Sequence, residues 1–166
     1  MSKKYEFTDE TITINGIILH RIKALIDFDR FGVKAGDLGG FIEVEANLSH
    51  DGNAWVYGDA RLYGNALVSG DAKVFGDAWV YGNAKVSGNA KIKRSNDYAC
   101  VNGFGSVYKN TTFFRCEDDL IRAQCGWFYG TIDEFRAKVK ETHGDSKYAK
   151  EYLMIADLME YHFAED

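Results

Sequence analysis

The chain has 166 residues, no proline, three cysteines and a formal net charge of −5 at pH 7. This negative charge excludes non-specific binding to a nucleic-acid backbone, because such binding needs clustered positive charge. The N-terminus is polar and no apolar run reaches the roughly 20 residues of a membrane span, so the sequence predicts a soluble cytoplasmic protein without a membrane partner.

The first segment, residues 1–39, predicts a β-hairpin that caps the rest of the fold. Thr11 to Ile14 alternate polar and apolar residues with the two-residue period of a strand. Asn15-Gly16 is a favoured two-residue hairpin turn, and the apolar run from Ile17 supplies the return strand.

The second segment, residues 40–94, consists of hexapeptide repeats. From Asn53 to Arg94 they read NAWVYG DARLYG NALVSG DAKVFG DAWVYG NAKVSG NAKIKR. Within each repeat, the alanine and the aliphatic residue two positions later point to the same side of a short strand. Gly followed by Asn or Asp favours a sharp corner. If three such sides close one coil, residues eighteen apart stack as parallel strands around an interior of alanine and valine.

Two earlier hexapeptides precede an irregularity in the spacing. Gly40-Phe41-Ile42 and Ala46-Asn47-Leu48 fit the same template, but Leu48 and Val56 are eight residues apart instead of six. We predict that two extra residues, His50 and Asp51, bulge out of a corner. Nine hexapeptides then make about three coils, whose open ends need caps.

The third segment, residues 95–166, predicts a small α+β unit. Thr111 to Arg115 and Ile121 to Phe128 read as a hairpin around the acidic run 117–119. Thr131 and Glu134 form a capping box that opens a helix of about a dozen residues, ended by Gly144. A second amphipathic helix is predicted from about Ser146 to Phe163.

The repeat resembles that of the hexapeptide-repeat proteins. This resemblance implies a mainly β fold, a short left-handed parallel β-helix of about three coils, with a homotrimer as the usual assembly. With its hairpin and its C-terminal sequence GTIDEFRAKVKETHG, the chain resembles hexapeptide proteins of bacteriophage and prophage genomes. That resemblance implies a viral accessory protein in the host bacterial cytosol, without implying a particular reaction.

The outward-pointing positions of the repeat divide into three faces. Face one comprises Trp55, Tyr57, Lys73, Phe75, Lys91 and Lys93; face two comprises Phe41, Glu43, Arg61, Tyr63, Trp79 and Tyr81; face three comprises Asn47, Ser49, Leu67, Ser69, Lys85 and Ser87. Large exposed apolar patches usually bind a partner. We predict an oligomer interface at Trp55, Tyr57 and Phe75, with cover by the terminal segments as the alternative. The predicted ligand-binding residues are Arg61, Tyr63, Trp79, Tyr81, Lys73 and Lys91.

Three hypotheses for the function follow. The first is a non-catalytic homotrimer that sequesters a small phosphorylated ligand, most concretely a nucleotide signal of a bacterial defence system, because aromatic walls beside a cation suit a nucleobase and its phosphate. The second is a structural or protein-blocking module that inhibits a host defence protein. The third is an acyltransferase with His50 as general base, although about three coils offer little length for a coenzyme.

No cofactor and no metal are expected. The histidines lack the spacing of metal ligands, and so do the three cysteines, which are predicted to be reduced thiols.

Overall fold

The computed structural model describes residues 2–164, so that Met1 and residues 165–166, at the ends of the predicted first and third segments, lie outside this range. The chain is mixed α and β, with an N-terminal hairpin, small parallel sheets, an antiparallel sheet and two C-terminal helices. The strands in the described range are β1 (Tyr5–Ile14), β2 (Ile17–Ala24), β3 (Leu38–Ile42), β4 (Trp55–Val56), β5 (Arg61–Leu62), β6 (Leu67–Val68), β7 (Lys73–Val74), β8 (Trp79–Val80), β9 (Lys85–Val86), β10 (Lys91–Ile92), β11 (Tyr98–Val101), β12 (Thr111–Arg115), β13 (Ile121–Cys125) and β14 (Phe128–Thr131). The helices are α1 (Ile132–His143) and α2 (Lys147–Phe163).

The hexapeptides form two-residue strands that pair in parallel with the predicted eighteen-residue register. Arg61 pairs with Trp79 between β5 and β8, and Leu67 pairs with Lys85 between β6 and β9. The third set, β4, β7 and β10, pairs in the same way. The alanine and aliphatic positions are fully buried, as predicted, at Ala54, Val56, Ala60, Leu62, Ala66, Val68, Ala72, Val74, Ala78, Val80, Ala84, Val86, Ala90 and Ile92.

Glycines form the corners between these strands. Six of them, spaced six residues apart from Gly58 to Gly88, have φ values between 58° and 70°. Side chains with a Cβ rarely adopt this left-handed conformation, so glycine at the corner allows the chain to turn after each two-residue strand.

The structure corrects the prediction for the irregular spacing after Leu48. The extra residues lie between Leu48, which pairs with Val68, and Ala54. His50 does not bulge outwards; its side chain is 15% exposed and stacks on Tyr5 with a centroid distance of 4.2 Å. An aromatic partner from the hairpin therefore holds the insertion against the fold.

Asn47 also differs from its predicted position on the outward face three. It is buried at the end of a 3₁₀ turn, Glu45–Asn47, that replaces a strand at this corner. Its amide donates to the carbonyl oxygens of Gly64 (3.1 Å) and Ala66 (2.8 Å), while its Oδ1 accepts the Val44 N–H. The polar side chain is buried because the backbone around it satisfies its hydrogen bonds.

The hairpin β1–β2 caps the carbonyl end of the stacked repeats. Backbone N–H groups of one repeat donate to carbonyls of the repeat eighteen residues later, as Trp55 does to Ala72, which leaves carbonyls open at the first repeats. Residues of the hairpin segment supply donors to these carbonyls: Lys4 Nζ to Ala54 (2.7 Å), Tyr5 OH to Leu48 (2.8 Å) and Arg21 Nη1 to Gly39 (2.8 Å). These three side chains satisfy carbonyl groups that the parallel strands leave open.

Residues after the repeat cap the opposite, N–H end of the stack with side-chain acceptors. The pairs are Trp79 N–H to Ser95 Oγ (3.0 Å), Tyr81 N–H to Tyr98 OH (3.2 Å) and Lys85 N–H to Thr112 Oγ1 (3.0 Å). Side-chain donors bind the open carbonyls at one end of the stack, and side-chain acceptors bind the open N–H groups at the other end. The segments before and after the repeats therefore complete the hydrogen bonding of the repeats.

The C-terminal unit pairs β11, β12, β13 and β14 in an antiparallel sheet packed on α1 and α2. The predicted second strand of the hairpin, Ile121 to Phe128, is two strands in the structure. Gly126, with a φ of 57°, turns the chain after β13, and Phe128 begins β14. Thr131 and Glu134 form the predicted capping box, and α1 ends at Gly144 as expected. No helix within residues 2–164 is long and apolar enough to cross a membrane.

Burial of Lys4 predicts that the stability of the fold depends on pH. The side chain is 1% exposed, and its burial lowers the pKa to about 8, an effect that the Asp51 charge opposes. Because the pKa in the unfolded chain is near 10.5, the unfolded state binds more protons between pH 8 and 10.5, and stability rises with pH in this window. We expect the free energy of unfolding to rise by about 1 kcal/mol from pH 7 to 9, as measured by urea denaturation.

Lys4→Met should abolish this rise, since methionine carries no ionisable group. Lys3→Met is the matched control: Lys3 pairs with Glu45 at the surface, and its loss should leave the rise intact. A pH-independent stability of the unmodified protein would contradict the assignment.

Candidate functional site

Four of the six predicted ligand-binding residues lie together on face two. Arg61 and Trp79 are register partners on β5 and β8, so their side chains leave the sheet side by side, and the guanidinium carbon lies 4.8 Å from the Trp79 ring centroid. Two residues further along each repeat, the rings of Tyr63 and Tyr81 stack at 5.1 Å with planes 6° apart. The eighteen-residue period therefore produces a cationic and aromatic cluster, here called the Arg61 cluster: Arg61, Tyr63, Trp79 and Tyr81.

Within the part of the chain that the structure describes, one hydrogen-bond donor of Arg61 has no protein partner. Within residues 2–164 it forms no ion pair, and its buried Nε has no hydrogen-bond acceptor. A guanidinium has five N–H donors in a planar fork that matches carboxylate and phosphate oxygens. Contact with the Trp79 face orients this group. Because Nε is buried, the terminal Nη donors are the ones left for an anion.

The hairpin borders the Arg61 cluster on one side. Ile14, Leu19 and Phe41 form a small buried cluster against which Tyr63 and Trp79 pack. Tyr81 remains 48% exposed. The cluster thus has an apolar wall on the hairpin side and an open aromatic ring on the other.

Tyr98 binds the backbone of the Arg61 cluster. Its hydroxyl donates to the Trp79 carbonyl (2.9 Å) and accepts the Tyr81 N–H, which fixes the backbone between the two rings. Burial raises the pKa of Tyr98, and burial together with neighbouring Tyr81 raises that of Tyr63. Both hydroxyls are therefore protonated at neutral pH. A role of Tyr98 in the site was not predicted from the sequence, although Tyr98 follows Ile92 at the six-residue spacing of the repeat.

Lys73 and Lys91 lie apart from the Arg61 cluster. They are register partners on β7 and β10, in a different sheet. Lys73 Nζ lies 2.8 Å from a Glu117 carboxylate oxygen and 4.2 Å from the Phe31 ring centroid, and its hydrogen bond lowers the pKa of Glu117. Lys91 is exposed. The structure therefore does not bring these two predicted residues to the site, and Lys73 has a structural ion pair instead.

The N-terminal segment covers part of face one. Such cover was the predicted alternative to an oligomer interface on this face. Trp55 is 1% exposed, with its ring 5.1 Å from Phe28 and 6.3 Å from Tyr5. Tyr57 and Phe75 are both half-buried. Burial, together with the Glu117 charge, raises the pKa of Tyr57 to about 12. Trp55 has no surface left for a partner.

His50 has a structural role in this arrangement. Its Nδ1 accepts the Lys4 backbone N–H at 3.1 Å, so the proton of the neutral ring sits on Nε2, which faces Glu45 at 3.7 Å. A neutral imidazole has one acceptor nitrogen, and here the backbone uses it. No ring nitrogen is free to take a proton from a substrate hydroxyl.

Within residues 2–164, no group of three or more His, Cys, Asp and Glu side chains is arranged to hold a metal ion. Comparison of the sequence with models of protein families finds no match, and comparison with curated proteins finds none either.

Proposed function

We propose that this protein is a non-catalytic binding protein that sequesters a small phosphorylated nucleotide at the Arg61 cluster. The observation that carries the proposal is Arg61, a cation held over Trp79 without a carboxylate partner in the described range. Arginine donors bind phosphate oxygens through charge-assisted hydrogen bonds, and aromatic faces stack nucleobases. The Arg61 guanidinium and the exposed Tyr81 ring supply one contact of each kind within the same cluster.

The proposal also covers the arrangement of the parallel strands and the biological origin of the protein. We infer that the three sets of parallel strands are the sides of a short left-handed β-helix, and that the protein belongs with the phage and prophage hexapeptide-repeat proteins. The eighteen-residue register, the buried columns of alanine and aliphatic residues and the glycine corners support this inference. A nucleotide signal of a bacterial defence system is the ligand that such a setting would provide.

A homotrimer is part of the same proposal. Since the N-terminal segment covers Trp55, the aromatic surface open to a second copy is that of Trp79 and Tyr81 on face two. In a three-fold assembly, this surface meets a different surface of the neighbouring copy. The Arg61 cluster would then line a cleft between subunits, which would shield a bound nucleotide from solvent.

A specific observation favours a second candidate, the protein-blocking module. Met154, Leu158 and Tyr161 are exposed along one side of α2, at the spacing that places them on one helix face. An apolar helix face of this kind fits a groove on a host protein. The acyltransferase hypothesis gains no comparable support, because the His50 acceptor nitrogen is occupied.

The test is ligand binding with matched variants. Native mass spectrometry of protein purified from a nucleotide-rich lysate should show the trimer mass with added ligand, and calorimetry against mono-, di- and cyclic dinucleotides should identify the class. Arg61→Gln should weaken binding of the ligand by about tenfold, equivalent to roughly 1.4 kcal/mol.

The matched control is Lys85→Gln, which removes an exposed cation from the neighbouring face three. It should leave nucleotide affinity unchanged, while thermal melting verifies that both variants are folded. Absence of binding across the whole panel, or an equal loss in both variants, would overturn the proposal.

A further inference from the structure

The C-terminal unit contains an apolar cavity of about 360 Å³ that is separate from the Arg61 cluster. It lies between loop 102–110, the turn joining β13 and β14, and both helices. Phe128, Phe135, Val139 and Tyr152 line its interior. Its volume falls within the roughly 300–1,000 Å³ of small-molecule pockets.

The cavity is preformed by contacts that fix its walls. The Tyr152 ring lies edge-on to Phe135 at 5.8 Å and stacks on His143 at 5.6 Å. Gly105 packs so closely on Tyr152 that an added Cβ would overlap the ring, and the Gly105 N–H donates to Glu151 at 2.8 Å. These contacts hold loop 102–110 on α2 and keep the space open.

The charged part of the lining is cationic. Lys109 and Lys138 line the cavity and are exposed, which places their ammonium groups at its rim. His143 also lines it, whereas no Asp or Glu does among the lining residues that the structure describes. Lys138 Nζ lies 3.4 Å from a carboxylate oxygen of Glu141, in an exposed ion pair. In a chain of net charge −5, two lysines in a lining without a carboxylate favour an anion.

Trp127 stands at the mouth of the cavity. Its side chain is fully exposed, at 106% of the reference accessibility, although an indole is one of the largest apolar groups in proteins. It lines the cavity from the turn between β13 and β14. An apolar occupant would remove part of this ring from water, which gives Trp127 a favourable contact in the bound state.

We propose that this cavity binds a small amphipathic anion, a carboxylic acid with an apolar body. The body fills the space among Phe135, Val139 and Tyr152, and the carboxylate pairs with Lys109 and Lys138 at the rim. This site is independent of nucleotide binding at the Arg61 cluster, because the two lie in different units of the fold.

The experiment compares three probes with the same alkyl chain: decanoate and decyltrimethylammonium below their micellar concentrations, and decanol below its solubility limit. We expect decanoate to bind at least about tenfold more tightly than decanol, which corresponds to roughly 1.4 kcal/mol for the ion pair, and the ammonium probe to bind weakest. Decanoate should also shift tryptophan emission to the blue, and Trp127→Phe should remove that shift. Failure of decanoate to bind, or equal affinity for all three probes, would overturn the proposal.

Variants of the rim complete the test. Lys109→Gln with Lys138→Gln should lower decanoate affinity to the level of decanol and leave decanol binding unchanged. Lys147→Gln with Lys150→Gln, which removes two exposed lysines of α2 outside the lining, is the matched control and should change neither. Equal effects of the two double variants would show that general charge, rather than this site, attracts the anion. Nucleotide affinity should be the same in both double variants.

Discussion

Gly40→Ala is expected to destabilise the fold by about 3 kcal/mol, although the substitution restores the alanine that later hexapeptides carry at this position. Gly40 lies in β3, where an added Cβ would come within 2.5 Å of Val56 Cγ1 and still closer to the Ala60 carbonyl oxygen. Its φ is not in the left-handed region, so on backbone grounds alone alanine would stabilise by about 0.4–1 kcal/mol. The sign of the effect therefore distinguishes close packing from backbone preference.

Urea denaturation of the purified variant measures this effect. Gly16→Ala at the hairpin tip is the matched control, because no atom lies within 4 Å of its added Cβ and only the φ of 83° opposes alanine. The control should lose about 1 kcal/mol. A Gly40→Ala protein as stable as the unmodified chain would contradict the close approach of β3 to the neighbouring repeat.

Asp97→Ala is expected to cost about 3 kcal/mol of unfolding free energy, because it leaves two part-buried backbone N–H groups and the Arg115 guanidinium without their acceptor. Asp97 is buried, and one carboxylate oxygen accepts the N–H groups of Lys93 and Arg94, both at 2.9 Å. The other lies 3.4 Å from Arg115 Nε, and Arg115 in turn reaches the Phe163 carbonyl at the end of α2. One carboxylate thus joins the last repeat to the C-terminal unit.

Asp97→Asn separates hydrogen bonding from charge. Asn47 shows that an amide oxygen can accept the backbone N–H at the equivalent turn of the first repeats, where the distance to Val44 is 2.9 Å. We therefore expect the Asp97→Asn variant to retain the backbone bonds, to lose the ion pair with Arg115 and to cost roughly half as much as the alanine variant. Equal losses in the two variants, measured by denaturation, would contradict the capping role.

The repeat and the helices were predictable because their signals are local. A six-residue period determines which side chains of a short strand point inwards, and the pairing of every third strand gives the eighteen-residue register observed between Arg61 and Trp79. The capping box at Thr131 and the glycine at 144 likewise determine the ends of α1 from neighbouring residues. The clustering of Arg61, Tyr63, Trp79 and Tyr81 follows from the same periodicity.

Other features depend on residues far apart in the chain. Lys73 was predicted to bind a ligand, yet Glu117 pairs with it from the loop between β12 and β13. Trp55 was predicted at an interface, yet Phe28 packs on it from before the repeat. No period in the sequence connects these partners, so the predictions left their contacts out.

The sequence by itself determined the columns of small and aliphatic residues, the strand register and the position of the Arg61 cluster, because periodic side-chain direction is a property of the local backbone. Only the tertiary structure decided which outward residues stay open. The hairpin and the C-terminal unit must satisfy the free carbonyls and N–H groups at the two ends of the stack, and the way they pack to do so covers Trp55 while leaving Tyr81 and Trp127 exposed.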